Sequence, residues 1–217
     1  MNNVDKIFQL LKKKYPGQKF FSDTHTTPYK VLISTILSQR TKDSNTLKAA
    51  KALFKLADTP EKILKLKPSV IRKAIMPSGF YKNKTKTIIK VSKQLLTEYD
   101  GRVPKFKQEL LKLFGVGPKT ASCVMLFGYR IPQLPVDVHV FIISKRLGWS
   151  DKTKPHEVEL DLEKRIPKKY WMDLNELLVR FGQDICLTRN PKCYICPISK
   201  YCKYGMKRIK WPKKLSI

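Results

Sequence analysis

The stretch Leu113-Phe114-Gly115-Val116-Gly117-Pro118-Lys119-Thr120-Ala121 decides the fold of this chain. Its two glycines stand one residue apart, which predicts a hairpin whose backbone can approach another molecule closely because no Cβ intervenes. Pro118 has no N–H to lose and suits the first turn of a helix. The free N–H groups at that helix end favour a phosphate oxygen. We therefore expect a helix, a hairpin and a second helix, with the hairpin against a nucleic-acid backbone.

Lys119 stands at the start of the second of these helices. A cation there opposes the helix dipole, which favours the neutral amine, and a neutral amine is a nucleophile that can form a Schiff base. The alternative interpretation is that Lys119 only contacts a phosphate. Asp137 lies eighteen residues further on, in an apolar stretch of a chain with few acids. From the residues alone, both interpretations of Lys119 remain open.

The charge balance of the chain also indicates a polyanionic partner. The 217 residues include 45 Lys and Arg against 17 Asp and Glu, which gives a formal net charge of +28. Nucleic acid is the first candidate partner, although a lysine-rich surface is also typical of hyperthermophiles. The N-terminus lacks the layout of a signal peptide, and no apolar run approaches the length of a membrane span. We expect an intracellular protein of the cytoplasm or nucleoid, without membrane association.

Apolar residues recur at helical spacing along most of the chain. They predict helices over 3–15, from Pro28 onward, over 59–66 and 68–75, through Ile88 to Tyr99, from Pro104 to Leu113, and over 155–165 and 168–181. Residues 134–143 alternate like a strand, but a lone strand is improbable in a chain of helices. We expect a helix that begins near Asp137 and is capped by it, with His139 in a structural role. The predicted fold class is all-α.

Two polar loops follow apolar helices and could face a groove. The first, 38–43, contains Gln39 and Arg40, and a plain helix-to-helix turn would explain it equally well. The second, 77–84, places Phe80 and a second aromatic residue among glycine and lysines. Apolar side chains on such a loop can wedge between base steps. The alternative, which the residues alone favour, is that the aromatics anchor the loop in the core.

Four of the five cysteines cluster near the C-terminus, at Cys186, Cys193, Cys196 and Cys202. In an intracellular protein such a cluster indicates a metal centre rather than disulfides. Zinc ribbons usually have two C-x2-C pairs, and this chain has one, so the spacing favours a [4Fe–4S] cluster over a zinc ion. Arg189 and Lys192 lie between the first two cysteines. They could grip a phosphate backbone or offset the charge of the thiolates.

The hairpin with Lys119, the pair Val136-Asp137 followed by His139, and the spacing of the four cysteines together resemble the endonuclease III family. Its members are DNA glycosylases with abasic-site lyase activity in the helix-hairpin-helix Gly/Pro-Asp superfamily. The resemblance covers about residues 25–205. It implies two all-helical domains that flank a DNA-binding groove. A six-helix barrel at 21–131 would carry the hairpin, and a domain of 1–20 with 132–217 would carry a [4Fe–4S] cluster held by the four cysteines.

The resemblance also implies a mechanism. A damaged pyrimidine is flipped out of double-stranded DNA, Lys119 attacks the sugar and displaces the base, and Asp137 assists. A lysine Schiff base follows, and β-elimination cuts the strand 3′ to the abasic site. The residues expected to contact DNA are Gln39, Arg40, Phe80, Gly115, Val116, Gly117, Arg189 and Lys192.

Three positions depart from the pattern of the family. Phe114 replaces the usual proline of the hairpin, and Val138 replaces a threonine. Either Gln39 or Arg40 takes the place of the glutamine that fills the gap left by the flipped base. Phe80 falls where the family has an apolar wedge, and this favours the DNA-facing interpretation of its loop.

Two other functions compete with this one. Mismatch-specific monofunctional glycosylases of the same fold generally lack a lysine at the position of Lys119. A non-catalytic DNA-binding module would need Gly115 and Gly117 but gives no reason for Lys119 and Asp137. We therefore expect the bifunctional enzyme, acting as a monomer on double-stranded DNA with damaged bases or abasic sites.

Overall fold

The computed structural model describes residues 3–17 and 27–209. Throughout these residues the regular secondary structure is helical, as the sequence predicts. The chain divides into two compact units, Lys19–Gln133 and Met1–Gln18 with Leu134–Ile217. The boundary expected between residues 20 and 21 lies outside the described residues. The functional names given to the two domains stay predictions.

Helices follow one another along both units. In chain order they are α1 (Asn3–Lys14), α2 (Pro28–Ser38), α3 (Asp43–Leu56), α4 (Pro60–Lys65), α5 (Pro68–Ala74), α6 (Tyr81–Glu98), α7 (Lys107–Leu110), α8 (Pro118–Cys123), α9 (Val138–Leu147), α10 (Pro155–Arg165), α11 (Trp171–Asp184) and α12 (Lys203–Arg208). A π-helical segment, Val124–Gly128, continues α8, and a 3-10 turn, Lys168–Tyr170, precedes α11. Two further 3-10 turns, Cys193–Ile195 and Ser199–Tyr201, lie within the cysteine-rich segment.

Helix α2 forms the centre of the unit that contains the hairpin. All of its side chains from Val31 to Leu37 are buried, so its apolar run is a core helix rather than an amphipathic one. It packs against α3, α6, α8 and the π-helical segment. This packing fixes the end of α2, from which the first polar loop emerges, and the start of α8, where the hairpin ends.

The other unit has its own core, formed by α1 and α9 to α12. The rings of Phe8 and Tyr170 stack with centroids 4.0 Å apart, and Trp149 lies parallel to Phe8 at 6.3 Å. Helix α9 packs against α10, α11 and α12, and α1 packs against α11. The start of α9 and the cysteine-rich segment are thereby built on one set of packed helices.

Local capping explains where several helices begin. Thr27 and Thr59 each accept a hydrogen bond from a main-chain N–H at 3.3 Å, and each precedes a proline at the first helical position. Such residues satisfy N–H groups that have no partner inside the helix. Asp137 caps α9 in the same way. The helix predicted over the alternating run 134–143 is therefore confirmed from Val138 onward.

The helix expected from Pro104 to Leu113 is wrong in extent. Only the four residues of α7 are helical there, and they bury a single side chain, Leu110. The Tyr129 hydroxyl donates a hydrogen bond to the Val103 carbonyl and holds the chain before α7 outside helical geometry. Among the described residues, no helix combines the length and the apolar character that crossing a membrane requires.

Candidate functional site

The two glycines of the hairpin meet different structural requirements. Gly115 has φ +77°, in the left-handed region, and a Cβ at this position would lie 2.5 Å from the Cγ2 methyl of Thr87. Gly117 has an extended backbone (φ −99°, ψ 178°), and a Cβ there would meet no atom within 4 Å. Val116 between them is 8% exposed, so it can offer DNA little more than its main chain. The fold explains Gly115, whereas Gly117 leaves an open surface for the close approach of another molecule.

Phe114 anchors the start of the hairpin through its main chain. Its N–H donates to Gln94 Oε1 at 2.9 Å, and Gln94 Nε2 donates to the Lys112 carbonyl at 3.2 Å. A proline at this position would have no N–H to donate. The Phe114 ring is half exposed, with Lys90 Nζ 4.4 Å from its centroid. The departure from proline therefore brings a hydrogen bond to α6 and keeps the hairpin glycines in place.

Lys119 is the second residue of α8, and its side chain is exposed. The two residues that follow it, Thr120 and Ala121, are buried and hold this turn of the helix against the core. The amine therefore projects from a fixed helix start, two residues after the open surface at Gly117. A nucleophile needs such a fixed position if it is to reach one atom of a bound substrate.

Arg40 of the first polar loop and Phe80 of the second lie side by side. Both have left-handed backbones, with φ of 51° and 58°, and the Arg40 guanidinium carbon lies 5.9 Å from the Phe80 ring centroid. Phe80 is 60% exposed, so the interpretation that it anchors its loop in the core is wrong. Gln39 Nε2 donates to the Gly115 carbonyl at 3.4 Å and links the first loop to the hairpin. The structure thus brings these predicted site residues together on one unit.

Asp137 caps α9 with one carboxylate oxygen and leaves the other only weakly engaged. Oδ1 accepts from the N–H groups of His139 and Val140 at 2.8 and 2.9 Å. Oδ2 accepts from Asn175 Nδ2 at 3.4 Å, while the same amide donates to the Pro135 carbonyl at 2.8 Å. Asn175 is buried on α11, and no sequence motif marks it. It holds the chain before α9 and so fixes the direction of the Asp137 carboxylate.

His139 packs against the main chain of α11. A Cβ at Gly182 would clash with its imidazole ring, so α11 can approach this closely only because residue 182 is glycine. A larger residue there would displace the ring and, with it, the first turn of α9 that Asp137 caps. The contact supports the structural role predicted for His139.

The clustered cysteines line one pocket in the second unit. Cys186, Cys193, Cys196 and Cys202 surround it with apolar neighbours that include Ile143, Leu147 and Phe181. All four are free thiols. Burial raises the pKa of the Cys196 thiol to about 12 and also raises the pKa of Cys186 and Cys202. Within residues 3–17 and 27–209, no three or more His, Cys, Asp or Glu side chains are grouped in a way that would hold a metal ion.

Arg146 on α9 fastens the beginning of the cysteine segment. Its Nη1 donates to the carbonyls of Cys186 and Leu187 at 3.1 and 2.8 Å, and its Nη2 donates to the Thr188 carbonyl at 2.9 Å. The same Nη1 lies 3.1 Å from Cys186 Sγ. The guanidinium therefore fixes three consecutive carbonyls and one of the thiols that face the pocket.

The residues predicted from the sequence fall in both units. The hairpin, Lys119 and the two polar loops belong to Lys19–Gln133, while Asp137 and the cysteines belong to the other unit. Of the two cations predicted to grip a phosphate backbone, Arg189 is exposed and Lys192 is half-buried. Each unit therefore presents cations and main-chain groups of the kind that bind a polyanion.

Comparison with known proteins gives this arrangement a family. Residues 33–168 match the family described as HhH-GPD superfamily base excision DNA repair protein. The endonuclease III of Thermotoga maritima is 41% identical over 205 residues, which cover 94% of each chain. The endonuclease III of Bacillus subtilis is 36% identical over 189 residues, which cover 86% of this chain and 85% of the relative.

Solved structures agree with the sequence relatives. A trapped endonuclease III–DNA covalent intermediate matches with a TM-score of 0.85 and 32% identity, over 96% of this chain and 99% of that one. A thermostable thymine-DNA glycosylase matches with a TM-score of 0.83 and 26% identity, over 94% and 97% of the two chains. The predicted fold class is confirmed. The chain belongs to the endonuclease III family, within the HhH-GPD superfamily of base excision DNA repair proteins.

Proposed function

We propose that this member of the family removes damaged pyrimidines from double-stranded DNA and then cuts the strand 3′ to the abasic site. Membership makes the chain a base-excision-repair DNA glycosylase and lyase. The observation that carries the lyase step is the exposed Lys119, held by a buried helical turn beside the open backbone of Gly117. The DNA in the matched endonuclease III covalent intermediate supports a DNA substrate.

The first step is the removal of the damaged nucleotide from the base stack. An enzyme that acts on C1′ of a nucleotide in a duplex must extrude the base and fill the gap that remains. Phe80 offers an exposed ring that can wedge between base steps, and Arg40 beside it offers a cation with planar hydrogen-bond donors. We assign the wedge to Phe80 and the gap to Arg40, because Gln39 is turned toward the Gly115 carbonyl.

The second step is base displacement. The neutral amine of Lys119 forms a bond to C1′, and the bond from C1′ to the base breaks with its electron pair on the departing base, which takes up a proton. Asp137 accepts the proton from the attacking amine or stabilises positive charge on the sugar. The weakly engaged Oδ2 of Asp137 suits that role, since Oδ1 is occupied by the helix cap.

The third step cuts the strand. The N,O-acetal at C1′ opens to a Schiff base between Lys119 and the sugar as the C1′–O4′ bond breaks and O4′ takes up a proton. Loss of a proton from C2′ follows, and the C3′–O bond breaks so that the phosphate leaves. Hydrolysis of the imine then frees Lys119. The phosphates on either side are held by the main chain of the hairpin at Gly115, Val116 and Gly117 and by the cations Arg189 and Lys192.

We propose that the cysteine pocket holds a [4Fe–4S] cluster, which is larger than a single metal ion, as a structural cofactor. Four free thiols face one apolar pocket, and four thiolates are the ligand set of such a cluster. Cys186, Cys193, Cys196 and Cys202 would hold it. The cluster would supply no step of the reaction and would fix the loop that presents Arg189.

We also place the protein inside the cell, with the nucleoid as its site of action.

Base release and borohydride trapping on a duplex with one thymine glycol test this proposal. Wild-type protein should release the base, cut the strand and give a covalent adduct when the Schiff base is reduced. Lys119→Ala should lower adduct formation by at least about 10³-fold, while the exposed Lys55→Ala should match wild type. Base release without an adduct from wild type would indicate a monofunctional glycosylase. Binding of the duplex with neither activity would indicate a non-catalytic module.

A further inference from the structure

Lys84 on α6 is a buried cation at the base of the two polar loops. It is 5% exposed. Its Nζ lies 2.6 Å from the Leu37 carbonyl, 2.7 Å from the Gln39 carbonyl, and 2.8 Å from both Thr41 Oγ1 and Ser78 Oγ. An ammonium has three N–H donors, so these four oxygen atoms use all of them. A buried charge is tolerated when it is hydrogen-bonded in this way.

The acceptors of Lys84 come from both loops, and further hydrogen bonds join the loops directly. Ser78 Oγ donates to the Leu37 carbonyl at 3.0 Å, and the Gly79 N–H donates to Thr41 Oγ1 at 3.1 Å. A Cβ at Gly79 would lie 3.2 Å from the Arg40 carbonyl. The two loops are therefore in main-chain contact around the Lys84 ammonium.

Each loop contains a residue with a left-handed backbone. Arg40 and Phe80 have φ of 51° and 58°, which is unfavourable for residues that carry a Cβ. Such conformations persist where the surrounding structure enforces them. The hydrogen bonds of Lys84 to the Gln39 carbonyl and to Ser78 act one and two residues before these positions.

We propose that Lys84 is a positioning residue for lesion recognition, which holds Arg40 and Phe80 in the geometry that enters the duplex at a damaged nucleotide. The proposal rests on the roles assigned to Arg40 and Phe80 under the proposed function. Lys84 itself is too deeply buried to touch DNA. Its effect passes through the Gln39 carbonyl and the Ser78 hydroxyl to the two residues that are exposed.

The protonation state of Lys84 agrees with this role. Burial lowers the pKa of Lys84 to about 8, while the surrounding oxygen acceptors favour the ammonium. A neutral amine has two N–H donors, one fewer than the ammonium, and would therefore donate to fewer of the four oxygen atoms. The amine is therefore charged near neutral pH, and the tie between the loops is complete there.

The test compares Lys84→Met, which keeps an unbranched side chain one atom shorter and removes the donors, with Lys93→Met, which changes an exposed lysine on the same helix. Affinity is measured for an undamaged duplex and for a duplex with a tetrahydrofuran abasic analogue. A 2-aminopurine opposite the analogue reports unstacking. Lys84→Met should lose about 30- to 100-fold in affinity for the analogue, as misplaced site residues do. It should keep its affinity for undamaged DNA and lose the 2-aminopurine signal, and Lys93→Met should match wild type.

A double-mutant cycle with Phe80→Ala separates positioning from a general loss of stability. If Lys84 acts through Phe80, the double variant loses little more affinity for the analogue than either single variant. Additive losses, or unchanged discrimination in Lys84→Met, would overturn the proposal. If Lys84→Met does not fold, Thr41→Val, which removes one acceptor, takes its place in the test. This variant should lose about 5- to 10-fold in affinity for the analogue. Discrimination equal to that of wild type in Thr41→Val would overturn the proposal. Wild-type protein that cannot discriminate the analogue would instead remove the proposed function itself.

Discussion

Lys84 is buried and Arg146 is half-buried. Both cations donate hydrogen bonds to main-chain carbonyls in loops that carry proposed site residues. Arg146 binds three consecutive carbonyls of one segment, from Cys186 to Thr188. Lys84 joins two segments that are about forty residues apart in the chain, at Leu37 and Ser78. Arg146 therefore fastens a single loop, whereas Lys84 joins two loops to each other.

The two regions also differ in what else holds them. The cysteine segment has four thiols around one pocket and so has a second fastening available in the proposed cluster. A guanidinium also stays charged at any pH that the protein meets. The loops around Lys84 depend on one amine whose pKa burial lowers to about 8. The comparison indicates that recognition is more easily disturbed than the architecture of the cysteine segment.

The largest expected difference is in global stability. Arg146→Met should lower the free energy of unfolding by about 2–3 kcal/mol, because it leaves three carbonyls without their charged donor. Lys84→Met also loses hydrogen bonds, but it removes a buried charge, and the two effects partly cancel. We expect the free energy of unfolding of Lys84→Met to differ from that of wild type by no more than about 1 kcal/mol. Urea denaturation of the two variants measures both values, and a larger loss in Lys84→Met than in Arg146→Met would contradict the comparison.

The two hairpin glycines allow a similar comparison, in which the only change is one added Cβ atom. Gly115→Ala should lower stability by about 1–2 kcal/mol, since it places a Cβ in the left-handed region and against Thr87. Gly117→Ala should leave stability within about 0.5 kcal/mol and weaken binding to undamaged duplex, since its Cβ would occupy the open surface. When denaturation and duplex affinity are measured on both variants, we expect Gly115→Ala to have the larger loss of stability and Gly117→Ala to have the larger loss of affinity. Equal effects on both quantities would show that Gly117 is also needed for the fold.

The smallest expected effect is on pH dependence. The folded-state pKa of Lys84, about 8, lies below the ordinary value of 10.5. The unfolded chain therefore binds more protons between these values, and the contribution of Lys84 to stability increases as the pH rises through them. As the pH rises through about 8, the amine loses one of its three N–H donors to the loops. From pH 7 to pH 9, affinity for the abasic analogue should fall in wild type relative to Lys84→Met, without a loss of stability from this group. If the affinities of wild type and of Lys84→Met changed equally with pH, this prediction would be contradicted.

The sequence singles out candidate site residues more readily than the residues that hold them in place. Lys119, Asp137 and the four cysteines belong to motifs with a fixed spacing, and that spacing is enough to single them out. Asn175, Gln94 and Arg146 belong to no motif, and the main-chain carbonyls to which they donate lie between 18 and 42 residues away in the chain. Such contacts depend on tertiary packing, which spacing alone does not reveal.

Two local errors have similar physical causes. The apolar residues after Pro104 follow helical spacing, but the Tyr129 hydroxyl holds Val103 and only α7 forms. The ring of Phe80 is apolar and equally suited to a core, but its left-handed backbone turns it outward. In both cases a distant hydrogen bond or an unusual backbone conformation overrides a local preference. The exposure of Phe80 then supports the DNA-facing interpretation.

The most direct test of the proposed mechanism is to map the residue that borohydride joins to DNA. Trapped adduct from a thymine glycol duplex is digested with a protease, and the peptide that carries the nucleotide is identified by mass spectrometry. We expect the peptide that contains Lys119, because this amine is exposed at the start of α8 beside the hairpin. An adduct on any lysine other than Lys119 would contradict the assignment of the nucleophile, and an adduct on Lys84, whose pKa burial lowers, would also contradict its positioning role.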